Sequence, residues 1–240
     1  MGLMPSFSFL LDLVFPPVCV SCGKFNEMLC STCRQRIIEV KECICPHCLK
    51  NCVDGSRHAQ CKGSIDGLTS FWEYEGVASQ VIKAIKYSHF YSVVPVVMRI
   101  FFEYCEKAPI QPIFDFIKEK PIVVPVPLYK QRYRVRGFNQ SSLIGKEIAK
   151  HWKLPFSEKI LVRHLQTKPQ AELGKKDRLN NVKHAFSPSK EVSQLGLHPL
   201  KAKNILLIDD VWTTGATMQA CAKVLKNLGA EKIWAVTLAR

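Results

Sequence analysis

Apolar positions along the last three quarters of this chain alternate between strand-like runs and helix-like spacing, and they predict an α/β order of elements. Residues 68–74 form a strand. A short helix over 77–87 follows, with Val81, Ile82 and Ile85 on one face and Lys83 and Lys86 in its later half. A second helix runs over 95–104, with Pro95 in its first turn, where a missing N–H costs nothing. Residues 107–121 hold three prolines and are predicted to be a linker. The run 122–127, Ile-Val-Val-Pro-Val-Pro, begins a new strand whose prolines suit a sheet edge or a strand end. Leu143, Ile144 and Ile148 then share a helix face that ends near Pro155. Residues 187–201, with two prolines and one glycine, are predicted to stray from the core. The four apolar residues 205–208 predict a strand buried on both faces, as in parallel sheets. The helix after it carries Cys221, Val224, Leu225 and Leu228 on one face, is capped by Gly229, and leads into a strand over 233–238. The class is α/β: a parallel sheet flanked by helices.

The beginning of the chain follows another logic. Nine of its eleven cysteines lie in the first 61 residues, a segment with few large aliphatics to build a core. Cys19-Val-Ser-Cys22 and Cys30-Ser-Thr-Cys33 are two C-x2-C knuckles separated by seven residues, each offering two thiolates at the bite that tetrahedral Zn²⁺ needs. Cys45-Pro-His-Cys48 is a third knuckle. Its partner is His58-Ala-Gln-Cys61, although Cys43, His47 and Cys52 are also within sequence reach, so the fourth ligand stays open. One or two zinc ions are therefore expected, structural because four protein ligands leave no place for substrate. Disulfides would need an oxidising compartment. Residues 7–15 are apolar but contain Asp12, lack a basic lead and run into Pro16-Pro17, which makes a poor signal peptide and a short docking helix instead. No stretch reaches the ~18 apolar residues of a membrane span, and a cytoplasmic location is expected. Cys105 and Cys221 fit helix faces as small core hydrophobes. The ribbon unit is taken as 1–66 and the α/β unit as 67–240.

Candidate chemistry concentrates at 205–217. The apolar strand ends in Asp209 and Asp210, at the edge where open α/β sheets bind ligands. Thr213, Thr214, Gly215, Ala216 and Thr217 then open a helix with N–H groups and hydroxyls free, a cradle for a phosphate monoester. Two carboxylates facing that phosphate would repel it; they suit a vicinal diol or assistance to Mg²⁺. A sugar 5-phosphate with free 2- and 3-hydroxyls satisfies both halves. This stretch resembles the phosphoribosyl-pyrophosphate (PRPP) loop of type I phosphoribosyltransferases. Trp212 stands where smaller residues are common in that family and bears on how the loop packs.

Charge adds a second ligand class. The balance of 34 basic against 20 acidic residues gives a formal charge of +14 and points to polyanions. Lys130, Arg132, Arg134 and Arg136 are four cations in seven residues, interleaved with Tyr129, Tyr133 and Phe138. Such a loop suits phosphates and stacked bases. A basic segment over 161–186, including Arg163, Lys175, Lys176 and Arg178, extends the pattern as a flap able to order over a polyanion. Neither a P-loop nor a G-x-G-x-x-G motif occurs in the sequence, which argues against an ATPase or a dinucleotide enzyme of those types.

The order of these features carries a wider resemblance. The cysteine ribbon is followed by Tyr74-Glu-Gly76, Ile85-Lys-Tyr87, Val124-Pro-Val-Pro127, Arg136-Gly-Phe-Asn-Gln140, Thr167-Lys-Pro-Gln170, Arg178, Asn181-Val182, Ala185-Phe186 and the Asp-Asp/Thr-Thr-Gly loop. Nearly the whole chain resembles the ComF family of competence proteins, with His58 standing where a cysteine is usual. The resemblance implies a type I phosphoribosyltransferase fold beside a zinc ribbon, PRPP held at 209–217 with Mg²⁺, and a cytoplasmic role in natural transformation on incoming single-stranded DNA with the uptake machinery. Lys86, Lys130, Arg132, Arg134, Arg136 and Arg178 are the candidates for phosphate or nucleic acid. The resemblance assigns no acceptor and no catalytic residue. A transferase acting on an unidentified base or amine, and a PRPP-sensing regulator, are the competing readings.

Overall fold

The computed structural model describes residues 16–87, 92–107, 111–165 and 184–240. The ribbon contributes a one-turn helix, α1 (Ser31–Arg34), and a two-residue hairpin of β1 (Cys43–Ile44) and β2 (Asn51–Cys52). Strand β3 (Gly67–Trp72) opens the α/β part and leads into α2 (Gly76–Tyr87), α3 (Val93–Lys107) and α4 (Gln111–Lys118). Then come β4 (Ile122–Pro125), α5 (Lys130–Arg136), α6 (Gln140–Trp152) and an antiparallel pair, β5 (Leu161–Arg163) with β6 (Phe186–Pro188). The chain closes with α7 (Lys190–Ser193), β7 (Ile205–Val211), α8 (Ala216–Asn227) and β8 (Ile233–Ala239).

The central sheet has four parallel strands in the order β3-β8-β7-β4. Its inner strands are apolar on consecutive positions because helices cover both faces. Leu206 and Ile208 of β7 join the apolar cluster of α2, α3 and α6, whereas Ile205 and Leu207 join that of α8. Strand β4 is an edge, as its prolines predict, and Pro125 sits opposite Ile208. The parallel sheet flanked by helices is as expected, and β7 runs on through both acids to Val211.

Three expectations are corrected. The proline-bearing stretch 107–121 contains α4 rather than a linker. Pro112 is its second residue, where a helix does not use the N–H, and Ile113, Phe116 and Ile117 bury one face at helical spacing. The basic stretch after Tyr129 is a helix, α5, and not a loop; it ends at Gly137 in a left-handed cap and buries none of its seven residues. Nor do residues 187–201 leave the core: Val192 and Leu200 pack into the cluster around α8, and the Leu200 N–H donates to the Leu228 carbonyl. The expected docking helix at 7–15, and Arg178 with most of its basic segment, lie outside the described residues.

Candidate phosphoribosyl site and metal centres

The ribbon builds the same knuckle twice. The Cys19 N–H donates to the Lys24 carbonyl and the Gly23 N–H to the Cys19 carbonyl; Cys45 with Lys50, and Leu49 with Cys45, repeat both bonds. The residue after each knuckle is left-handed, Gly23 at φ 78° and Leu49 at φ 62°. The Cys19 sulfur accepts from the Cys30 N–H at 3.5 Å, and the Cys45 sulfur from the His58 N–H at 3.5 Å. His58 thus occupies the place that Cys30 has in the first group. Burial works against the Cys19 and Cys45 thiolates, but backbone N–H groups, led by Cys22 and Cys48 and followed by Cys30 and His58, outweigh it and bring each thiol down to about 6.

The ligand atoms of Cys19, Cys22, Cys30 and Cys33 lie within 4.8 Å of one another, as do those of Cys45, Cys48, His58 and Cys61. Four soft or imidazole donors converging in this way fit structural Zn²⁺. His58 approaches through Nδ1, 3.3 Å from the Cys48 sulfur. Of the candidates for the fourth ligand, His58 lies in this group, whereas Cys43 and Cys52 face each other across the β1–β2 hairpin and His47 lies beside Gly63.

At the C-terminal end of β7 the two acids have separate partners. Asp209 Oδ1 accepts from Ser141 Oγ at 2.8 Å and from the Asp210 N–H at 2.9 Å. Asp210 is 4% exposed, and its Oδ2 lies 2.9 Å from Lys86 Nζ. Burial pushes the Asp209 carboxyl up, the neighbouring Asp210 charge adds to it, and together they bring it to about 7. Burial alone would lower the Lys86 ammonium, but Asp210, seconded by Asp209, holds it above the ordinary lysine value.

The loop that follows is set by Trp212. Its indole is 2% exposed and lies directly beneath Gly215, where a Cβ would come within 2.2 Å of the ring. Gly215 also has φ 73°, so sterics and backbone both require glycine there. Thr213 is exposed, Thr214 and Thr217 are half-buried, and Ala216 is buried as the first residue of α8. Thr214 Oγ1 accepts from the Ala216 N–H at 3.4 Å. The unusual tryptophan therefore supports the turn.

Residues 136–141 form the scaffold opposite. Arg136 Nη1 donates to Gln140 Oε1 at 2.6 Å. Asn139 caps α6 by accepting from the Ser141 N–H and donates from Nδ2 to the Val126 carbonyl at the end of β4. That junction sets Ser141, which is fully buried, against Asp209. Of the predicted cations, Lys86 reaches the acids. Lys130 and Arg134 are exposed on α5, with Arg132 and Arg136 half-buried. Tyr133 is 52% and Val135 80% exposed beside them.

Two residues of this neighbourhood were not singled out from the sequence. Ser141 directly follows the Arg-Gly-Phe-Asn-Gln run, and that adjacency was its signal. Arg163 was seen only as part of a basic segment. Tyr129 pairs with it in a parallel bridge, and its guanidinium lies 5.3 Å from the Phe186 ring centre. Burial holds Arg163 below the ordinary arginine value, the Arg132 charge adds to that, and Cys221 and Asp209 pull the other way. Its charge is thus felt both by Arg132 of the basic helix and by Asp209.

This geometry agrees with the relatives of the chain. The model of the phosphoribosyl transferase domain matches residues 155–240, and that of the double zinc ribbon domain matches 10–62. Competence protein F of Haemophilus influenzae is 35% identical over 124 residues, 52% of each chain. Competence protein ComFC of Bacillus subtilis is 27% identical over 230 residues, 90% of this chain and 86% of that one. The chain is similar to these competence proteins, to the Bacillus one over most of its length. The DNA utilization protein YhgH of Escherichia coli K12 is 31% identical over 118 residues, 49% of this chain and 48% of its own. The chain thus spans about half the length of the Haemophilus and Escherichia relatives and most of the Bacillus one. Strands β3 and β4, Lys86 and Ser141 all precede the matched phosphoribosyl transferase segment. Among the described residues no helix is long and apolar enough to cross a membrane.

Proposed function

We propose that this chain is a ComF-family protein that binds PRPP with Mg²⁺ at 209–217 and single-stranded DNA along its basic face, and acts with the DNA-uptake machinery in the cytoplasm during natural competence. One observation carries the ligand half: two adjacent carboxylates, steadied by Ser141 and Lys86 at the end of a parallel strand, stand beside a glycine turn that opens a helix. Asp209 and Asp210 accept hydrogen bonds from the ribose 2- and 3-hydroxyls. The N–H groups and hydroxyls of Thr213, Thr214, Gly215, Ala216 and Thr217 receive the 5-phosphate. Lys86 keeps the acids from repelling an anionic ligand. Mg²⁺, when bound, supplies charge neutralisation to the pyrophosphate.

Lys130, Arg132, Arg134 and Arg136 on α5, with Arg178 further along, are the phosphate contacts for DNA, and Tyr133 offers a stacking face. The competence and DNA-utilization names of the relatives support this context. We take residues 1–66 as the ribbon unit and 67–240 as the phosphoribosyltransferase-like unit. The alternative is an active phosphoribosyltransferase with an unidentified base or amine acceptor. Arg163, a cation whose charge acts on both Arg132 and Asp209, favours it, since type I transfer depends on charge placed around the leaving group. Calorimetric titration with PRPP and Mg²⁺, with and without a single-stranded oligonucleotide, tests the main reading. Saturable PRPP binding that requires Mg²⁺ is expected, and a chain with both zinc sites filled that takes up no PRPP refutes it.

A further inference from the structure

The two metal centres rest on opposite sides of the sheet. Cys19, Cys30 and Cys33 of the first pack into the apolar cluster that holds α2 and α3. Ser21 of its knuckle donates to Gln80 on α2 at 2.6 Å, and Arg34 beside Cys33 pairs with Glu103 on α3. None of these contacts reaches the phosphate loop.

The second centre is tied to α8, the helix that the loop opens, and it is tied at both ends. Gln219, in the first turn, donates from Nε2 to the carbonyl of Pro46 at 2.8 Å, inside the Cys45-Pro-His-Cys48 knuckle. Its own N–H donates to the Gly215 carbonyl at 2.8 Å, so the same residue joins the knuckle to the glycine of the loop. At the other end Lys226 donates to Asp66 Oδ2 at 2.8 Å. Asp66 also accepts from the Ile233 N–H at 2.9 Å and from Arg57 Nη2 at 3.2 Å. Arg57 in turn donates to the carbonyl of Cys61. The path to α8 is one side chain long at its start, from Gln219 to the carbonyl next to Cys45, and three long at its end, through Lys226, Asp66 and Arg57 to the Cys61 carbonyl.

We propose that the Cys45/Cys48/His58/Cys61 centre is a positioning element for the phosphate loop, with Gln219, Asp66 and Lys226 as its positioning residues. Metal here fixes the knuckle and the 57–66 segment, and these fix the rotation and height of α8. The N–H groups that open the helix then point in one direction before ligand arrives. Occupancy of this centre and occupancy of the loop are thermodynamically linked, and the linkage is reciprocal. The first centre has no such linkage; its metal holds the ribbon to α2 and α3. The ligand half of this inference rests on the proposed PRPP site, whereas the mechanical half does not.

Hydrogen–deuterium exchange on the zinc-loaded full chain separates the two halves. The amides to follow are 219–223, in the first turns of α8. Gln219→Ala keeps all eight metal ligands and raises local helix propensity, yet it should speed their exchange about fivefold, through the loss of one buried-side hydrogen bond. Lys226→Met should act at the far end of the helix, and Cys61→Ser should reproduce both effects. Cys22→Ser, which removes one of the four ligands of the first centre and keeps the other three, should leave these amides as in wild type and loosen α2. Unchanged exchange in both Gln219→Ala and Lys226→Met overturns the inference, as does a Cys22→Ser effect on 219–223 equal to that of Cys61→Ser. The same proteins titrated with PRPP and Mg²⁺ should show binding weakened about fivefold in Gln219→Ala. Wild-type affinity in that variant, despite faster exchange, overturns the linkage. Absence of PRPP binding by wild type refutes the function reading instead, and the exchange result still decides whether the centre positions α8.

Discussion

Replacing Asp209 by Asn should make the ligand-free protein more stable and its ligand site worse. The Asp209 carboxyl rises from 3.8 to about 7, first through burial and then through the charge of Asp210. A group whose folded value is raised holds a proton in the folded chain that the unfolded chain has released. It contributes stability fully present below about pH 4 and lost as the pH rises through 7. That rise corresponds to at most about 4 kcal/mol above pH 7, at about 1.36 kcal/mol per pH unit. Asn keeps the volume and still accepts from Ser141 Oγ and the Asp210 N–H through its carbonyl oxygen. It removes the buried charge and adds an amide NH₂ that has to find a partner. The net gain expected above neutral pH is roughly 1–3 kcal/mol, or about 2–4 °C in Tm for each kcal/mol in a chain of this size.

Scanning calorimetry of wild type and Asp209→Asn, each with zinc bound, at about pH 5 and about pH 8 measures this directly. The difference between the two proteins should widen from the acid to the alkaline condition. Titration with PRPP and Mg²⁺ should meanwhile show binding weakened by about 2 kcal/mol, roughly thirtyfold, because charge-assisted bonds to the ribose hydroxyls are lost. A variant that is no more stable than wild type at the higher pH, or a difference that does not depend on pH, refutes the electrostatic account of this site. A more stable variant that binds PRPP as wild type does refutes the ligand assignment and leaves the electrostatics standing.

Other changes probe the remaining parts. Gly215→Ala should cost about 3 kcal/mol or more, from the left-handed backbone and the clash with Trp212, and Trp212→Leu in the same chain should recover part of that, read from urea unfolding. Metal analysis should return two zinc ions per chain from protein prepared without chelator, and replacing Cys19 and Cys22 together by Ser should abolish soluble expression. Exchanging Arg132, Arg134 and Arg136 together for Gln should flatten the salt dependence of single-stranded DNA binding by about two to three phosphate contacts, at a slope of about −0.7 each; an unchanged slope moves the DNA contacts off α5.

What was legible in the sequence is what lies within a few residues of itself. The strand into Asp209 and Asp210, the glycine turn and α8 are contiguous, so pattern and chemistry coincide. The zinc knuckles are local as well, and the first centre was complete from spacing alone. The second was not, because His58 and Cys43 are equally reachable along the chain and only the hairpin, which sets Cys43 against Cys52, separates them. Helix α4 was hidden by proline, a residue that breaks helices inside but not at their second position. Helix α5 was hidden by charge, since a short helix that buries nothing has no apolar face for a periodicity to reveal. Leu200 entered the core through a single backbone bond to Leu228, which no local signal announces.

The contacts that give the acid pair its character are the least local of all. Ser141 and Asp209 are 68 residues apart. Lys86 comes from the helix after the opposite edge strand, on the far side of the sheet order from β4. Adjacent carboxylates in one strand would repel each other and any phosphate nearby if both were left charged and bare. Here one of them has an ammonium and the other a hydroxyl and an N–H, so the penalty of burial falls mainly on Asp209. That division depends on chain segments outside the matched phosphoribosyl transferase region, which begins at residue 155. A loop of this sequence carried on another sheet would have the same donors for a phosphate and the same two acids. Ser141 and Lys86 both pull the Asp209 carboxyl down against its burial, so without them it would rise further and lose its fixed geometry. The ligand preference of this chain therefore belongs to the junction of β7 with α2 and α6, and the loop alone does not contain it.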